Sequence, residues 1–465
     1  MKIQVPNKIY PLFDKLFKEY QNEYILYIKE PLEYLKDSIF LLGGSIGCSS
    51  EEEHLEIERK IQNKIPVFTQ LFKNEKTIST TEEISQLLMK SNQLYCLESE
   101  VIHVVDRISY KSINKIISTQ PFPDEDEQRN IIESITKELV CDLKKSFRKY
   151  KFKFPIYASG IKESMQLSPS IILIKEDDFS LNDGELNNYL QTRAFSPNSS
   201  VYIETNINSS YEYAKCKAIR SKDATISMLR AMLGGMFGFT NSRFLIDESD
   251  KQLHFMGFFL YGEKGDELGK CRNYQYHYNP EECRTFWEAL NGEIKENKKL
   301  IDLLFSVPEK IITNVNFEKS VCSLIERSLR WLSDAINEDN FESKIMKLTI
   351  SIESLINFHS DSKKENLGVE RIKDTFVKRT MSINMNNEDI ENKAKQLYKA
   401  RSSIAHGSPL KTRFSFDVIQ FTCETILLAI QLFSLYKKNG IDEIGYDRGL
   451  PEHIDNYGRY RNSTN

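Results

Sequence analysis

Residues 388–409 read EDIENKAKQLYKARSSIAHGSP, and this stretch decides how the C-terminal third folds. Ile390, Ala394, Leu397 and Ile404 fall on one face at helical spacing, so the pattern predicts a helix over Glu388–Ala405. Gly407 and Pro409 stop it, which leaves His406 in the last turn or at the cap. Position 401 belongs to the apolar stripe, yet it is arginine. A guanidinium on a core-facing stripe is costly unless an anion or an acidic partner meets it. Local failures of this kind are often functional.

The helical period extends on both sides of this segment. Val321, Leu324, Ile325, Leu332, Ala335 and Ile336 share one face, and Phe341, Ile345, Leu348, Ile352, Leu355 and Ile356 share another. A shorter helix is expected near Val369–Arg379 and a long closing helix over about Phe416–Lys437, ended by Asn439-Gly440. Together these make a helical bundle over 313–440. The tail, 441–465, is polar and Tyr-rich and reads as partly disordered.

Arg401 and His406 form an R-x4-H pattern at the end of a bundle helix. With KIMKLTISIESLINF upstream, a short helix between and a long closing helix after, residues from about 315 to 440 resemble an ApeA-like HEPN ribonuclease domain. The resemblance implies RNA cleavage without a metal or other cofactor, by a toxin-like or antiviral effector. It also implies a homodimer in which two copies of the motif face each other. Arg401 and His406 would then be catalytic, with Ser402 beside them. An RNA 2′-OH can attack its own phosphate if a proton shuttle and a cation stand nearby. Histidine titrates near neutrality, and arginine can hold a phosphate bidentately. Residues five apart lie about 140° apart around a helix, so the cap geometry or a second chain must bring the pair to one phosphate. The closing helix, with Ile419, Cys423, Ile426, Leu427 and Ile430, offers apolar surface that could line such an interface. The alternative from another class is a catalytically silent HEPN module that serves as a dimerisation or partner-binding scaffold.

The string R-x4-H is not specific by itself, and Arg272 to His277 matches it as well. Alternating tyrosines and Pro280 put that copy on a strand or loop, outside any bundle. A third reading makes Arg401 a buried ion pair and His406 a helix cap. Glu353, beside the apolar stripe of its helix, either pairs with Arg401 or is an ordinary structural acid. Residues 363–413 hold 12 Lys and Arg, Lys399 among them, against 6 Asp and Glu. That excess suits phosphate contact. The segment 144–154, KKSFRKYKFKF, sets Lys144, Lys145, Arg148 and Lys149 among aromatic residues. It reads equally as a single-stranded RNA contact or as a half-buried edge strand with a lysine face.

Upstream the organisation changes. Residues 1–150 read as mostly helical, with a capping box at Thr80–Glu83, a second helix start at Ser49 or Ser50, and a solvated acidic loop at 123–127. Residues 151–312 read as mixed α and β, a sensor or regulatory region. Strands are expected at Ile171–Ile174, Val201–Ile203 and His254–Tyr261, and a helix over 211–237. The fold class is therefore α+β. The glycine groups at 43–47 and 234–238 lack a following Gly-Lys-Ser/Thr and are not phosphate loops.

The chain has 465 residues, 40% apolar and 28% charged, with a net charge of −4, so any basic surface is local. Its eight cysteines contain no C-x-x-C pair and its histidines no metal-ligand spacing; free thiols suit a reducing cytoplasm. The N-terminus lacks the apolar core of a signal peptide, and the longest apolar run, 421–436, is interrupted by Glu424 and too short for a bilayer. No membrane partner is expected. The RNA target, tRNA or another, and a phage-derived trigger or inhibitory partner are not specified by the sequence.

Overall fold

Where apolar side chains recur every three or four positions the chain is helical, and where β-branched residues cluster it pairs into sheet. The computed structural model describes residues 3–30, 74–92, 94, 96–118, 124–157, 160–175, 201–239, 247–248, 256–261, 267–273, 280–362, 369–385, 388–410 and 413–462. The chain divides into two compact units, Met1–Tyr150 with Asn208–Ala214, and Lys151–Ile207 with Lys215–Asn465.

The first unit is helical: α1 (Ile9–Lys29), α2 (Glu75–Asn92), α3 (Glu98–Ser118) and α4 (Glu125–Ser146). One face of α1 buries Phe13, Leu16, Phe17, Tyr20 and Tyr27, and Ile84, Leu88, Val105, Ile108, Ile135 and Leu139 complete that core. Thr80 is not an N-cap, contrary to the capping-box expectation. The helix begins earlier because Asn74 and Thr77 cap it reciprocally, Thr77 N on Asn74 Oδ1 at 2.8 Å and Asn74 N on Thr77 Oγ1 at 2.9 Å. Thr80 is buried inside α2. The acidic run is likewise a helix start rather than a loop. Asp124 accepts from the amides of Asp126 and Glu127 at 3.1 and 2.9 Å, and negative charge is favoured at that end of the dipole. Ser49, Ser50, Gly43–Gly47 and Pro123 lie outside the described residues.

The second unit combines sheet and bundle around one core. Strands β1 (Arg148–Tyr157), β2 (Met165–Ser168), β3 (Ile171–Lys175), β4 (Val201–Ser209) and β5 (Asp247–Glu248) form a sheet in the order β2-β3-β4-β1-β5. The strand β3 pairs antiparallel with β4 from Ile171↔Thr205 to Lys175↔Val201. Strands β6 (Met256–Tyr261) and β7 (Glu267–Asn273) make a separate hairpin. The helices are α5 (Tyr211–Phe237), α6 (Pro280–Glu296), α7 (Lys298–Thr313), α8 (Val321–Ile336), α9 (Phe341–Ile356), the short α10 (His359–Ser362), α11 (Val369–Ile383), α12 (Glu388–Ala405), α13 (Val418–Ser434) and α14 (Leu450–Asn462). The fold is thus α+β. Among the described residues no helix is long and apolar enough to cross a membrane.

Small residues set two close helix crossings. Ser328 of α8 and Ser351 of α9 stand 3.1 Å apart, hydroxyl to hydroxyl, and Ser351 also donates to the Ser328 carbonyl at 2.8 Å. On α5, Gly234 and Gly235 lie against α13: a Cβ at Gly234 would come 2.6 Å from Cys423 Sγ, and one at Gly235 would come 2.9 Å from Leu427 Cδ1 and 3.0 Å from the Glu424 amide nitrogen. These glycines make a helix crossing, not a phosphate cradle. The long helix α5 is buried almost all round beyond Ser221, as befits a central helix.

Three expectations for the bundle need correction. Phe341 heads α9 but is 55% exposed, outside the buried face. The closing helix α13 starts at Val418, because Asp417 caps it through the amides of Ile419 and Gln420 at 2.8 and 3.0 Å, and it ends at Ser434. The tail is not merely polar: α14 buries Leu450 and Ile454, one turn apart, and packs on α11. Asp455 of α14 lies 3.3 Å from Lys378 and 3.5 Å from the buried Arg379. Arg379 also forks onto Asp361 at 2.7 and 2.9 Å.

Gly235→Ala is expected to destabilise the protein by about 1–3 kcal/mol, because the added methyl meets backbone. Helix propensity alone would favour alanine by about 1 kcal/mol. The urea unfolding midpoint measures the sign, and an unchanged or higher midpoint would contradict the close crossing.

Candidate active site

Three helices assemble the site around Arg401. The helix α12 opens with Glu388, Asp389 and Glu391 at the positive end of its dipole, and Asp389 pairs with Lys393 at 2.6 Å one turn on. Its inward face buries Ala394, Leu397, Tyr398 and Ala400. Arg401 continues that face with its side chain 33% exposed. Across from it stands Glu353, 14% exposed in the last turn of α9, with its Oε1 3.5 Å from Arg401 Nε.

That contact is an ion pair and not a hydrogen bond. Arg401 Nε is buried and finds no hydrogen-bond partner among the described residues. Burial pushes the Glu353 carboxyl above the usual range, and the nearby Arg401 only partly opposes this. Tyr398, one turn before Arg401, lies near both charges. Burial raises its phenol, with Arg401 opposing and Glu353 adding. Its ring packs 5.2 Å from that of Phe376 on α11. Sequence reasoning missed Tyr398. Its spacing of three from Arg401 was the available signal, since such positions share a helix face.

His406 lies where the stop signals put it. Gly407 takes φ +70°, its amide bonds to the Ile404 carbonyl at 2.9 Å, and Ser408 N reaches the Ser403 carbonyl at 2.9 Å. This is a Schellman closure with His406 as the C-cap residue. The His406 amide bonds to the Ser402 carbonyl at 3.1 Å, while its ring is exposed. The structure does not bring the His406 ring into an ion pair or hydrogen bond with Arg401, Ser402 or Glu353. Ser402 is half-buried, and Lys399 is exposed one turn earlier.

The other basic candidates belong elsewhere. Lys144 and Lys145 are exposed in the last turn of α4, Lys145 lying 3.4 Å from Asp142, and Arg148 and Lys149 are exposed at the start of β1. These residues are in the first unit, whereas Arg401 is in the second. In the strand order β1 lies next to β4, and β5 meets it only at Ile156 and Tyr157, beyond the basic residues of this segment. Lys151 does not form a free lysine face: it meets the buried Glu204 at 3.1 Å. In the competing match, Arg272 is on β7, paired with Gly257, and His277 lies outside the described residues. The closing-helix residues fail as interface candidates. Cys423, Ile426, Leu427 and Ile430 are already buried within the chain, and only Ile419 is half-buried. The glycines of α5 cover Cys423 and Leu427, and α8 and α9 also pack on α13.

Among the described residues, no group of three or more His, Cys, Asp or Glu is placed to hold a metal ion. Comparison of the chain with protein-family models, with curated proteins and with solved structures returns no match.

The raised Glu353 carboxyl has a thermodynamic consequence. Its folded pKa lies above the ~4.3 of an unfolded glutamate, so the folded state binds the extra proton. Stability from this group is greatest below the unfolded value and is lost as pH rises through the folded one. Glu353→Gln is therefore expected to gain stability relative to the parent as pH rises from about 4 toward neutrality. Urea unfolding across that range measures it, and parallel pH profiles would contradict the assignment.

Proposed function

We propose that the chain is a metal-independent endoribonuclease of the HEPN type, acting in the cytoplasm as a toxin-like or antiviral effector. One observation carries the reading: a half-buried arginine beside a half-buried glutamate, with an exposed histidine on the cap of the same helix. Glu353 holds Arg401 in place through Nε, and one third of the arginine side chain stays exposed. A phosphate oxygen would meet the guanidinium on that exposed side.

The 2′-OH attacks the adjacent phosphorus and loses its proton. The P–O5′ bond breaks, the departing oxygen takes a proton, and the products are a 2′,3′-cyclic phosphate and a 5′-hydroxyl. His406 serves this exchange as acid or base, since imidazole titrates near neutrality. Arg401 stabilises the charge that builds on the phosphorane. No cofactor enters this scheme. A homodimer would set two arginines and two histidines around one cleft.

The ion pair itself favours a second reading. Arg401 held by Glu353 serves the fold even without substrate, as a silent HEPN scaffold for dimerisation or partner binding would require.

His406→Ala and Arg401→Ala are each expected to lower RNA cleavage by about 10²–10⁴-fold, with circular dichroism unchanged. His277→Ala should retain activity. Full cleavage by His406→Ala would overturn the proposal, and loss confined to His277→Ala would move the site. Mixing the Arg401→Ala and His406→Ala chains tests the shared cleft. Regained activity means that one phosphate is served by both chains, and none means that each chain serves its own.

A further inference from the structure

The basic run at the end of α4 lies wholly in the first unit. Lys144, Lys145, Arg148 and Lys149 are all exposed there, with Asp142 as the acid among them. Asp142 is already engaged from α3 by Arg107 at 2.8 Å, and Lys145 shares it at 3.4 Å. Among the described residues Lys144, Arg148 and Lys149 meet no acid.

An aromatic pair stands beside these cations. Arg148 donates Nε to the Lys145 carbonyl at 3.0 Å, which folds its guanidinium back over the end of α4. Tyr150 leaves the same face of β1 two residues on, and its hydroxyl donates to the Ser146 carbonyl at 3.3 Å. Tyr211, the first residue of α5, comes edge-on to that ring with the centroids 5.6 Å apart, and it is 48% exposed. The backbone around Tyr211 is pinned to α3, because Glu100 accepts from the Glu212 amide at 2.9 Å and from the Ser210 hydroxyl. With Glu100 and Glu212 counted beside Asp142, three acids face five cations, Arg107 included. The excess is positive, and it falls on the three cations that no acid meets.

The dipole of α4 favours Lys144 and Lys145 at its C-terminus, and a guarded sheet edge favours Lys149. Neither accounts for a half-exposed tyrosine held beside them. Cations that track a phosphate backbone, next to a ring on which a base can stack, are what single-stranded nucleic acid requires. We propose that this face of the first unit is a docking surface for single-stranded RNA, with phosphates along Lys144, Arg148 and Lys149 and a base stacked on Tyr211. Only the choice of RNA over DNA rests on the ribonuclease reading.

Fluorescence anisotropy of the full chain with a short labelled 2′-O-methyl oligouridine, which has no free 2′-OH to attack with, tests the surface at rising salt. Saturable binding that weakens with salt is expected. Tyr211→Ala should weaken it about 5- to 150-fold, the worth of one stacked base, while Tyr211→Phe keeps the ring and should bind as the parent does. Arg148→Gln combined with Lys149→Gln should make the salt slope shallower by about 1.4, since each phosphate contact on a single strand contributes about 0.7. These side chains are exposed, and circular dichroism checks that the variants fold. No saturable binding by the parent, affinity unchanged by Tyr211→Ala, or a salt slope unchanged by the glutamine pair would overturn the proposal. So would tighter binding of an oligodeoxyuridine of equal length, or capture of phosphatidylserine vesicles in place of the probe. A cleavage assay keeps the two readings apart. A chain that binds the probe but cuts no RNA loses the ribonuclease reading alone, and one that cuts RNA but binds the probe equally well after Tyr211→Ala loses the docking surface alone.

Discussion

A charged guanidinium on the inward stripe of a helix sets the terms for the C-terminal bundle. Arg401 stands where α12 would otherwise continue Ala394 and Leu397 into the core, and such a cation needs a compensating anion. Glu353 supplies it from the last turn of α9, which fixes the end of α9 against the end of α12. Phe376 on α11 then closes over Tyr398, so three helices meet at one charged point. The compensation is incomplete, since the carboxyl remains raised and Arg401 Nε remains without an acceptor. A bundle selected for stability alone would fill this position with an apolar side chain. The exposed third of the Arg401 side chain can still meet a further anion, and the proposed chemistry rests on it.

Much of this architecture is legible in the sequence because it rests on local periodicity. The span 388–405 follows from apolar spacing and stop signals, and the helix closure just past the His406 cap follows from Gly407, placed where a positive φ is needed. Misreadings arose where two local signals competed. Thr80 and Glu83 satisfy the capping pattern, but Asn74 and Thr77 satisfy it first, and a helix already under way takes Thr80 inside. The tail holds few apolar residues, and the burial of Leu450 and Ile454 depends on a surface of α11 that no pattern within 441–465 reveals.

The site was legible as residue identities and not as an arrangement. Arg401, His406 and Glu353 could be singled out by position, while Tyr398 stands out only once both charges are seen beside it. The apolar closing helix suggested an interface because the helices that bury it, α8, α9 and, some 190 residues upstream, α5, are not legible from its own stretch of sequence. The contact of Tyr211 with Tyr150 is of the same kind. One opens α5 and the other lies on β1, and neither is unusual within its own element. Such pairs exist only once the two elements are side by side.

The central claim is that Arg401 and His406 direct attack by an RNA's own 2′-OH, and the ends of the cleaved RNA report on it most directly. Mass spectrometry of fragments from a defined oligoribonucleotide, cut in the presence of EDTA, should find 2′,3′-cyclic phosphates and 5′-hydroxyls. Fragments ending in 3′-hydroxyls and 5′-phosphates, or cleavage that persists when the 2′-OH at the cut is replaced by hydrogen, would contradict it.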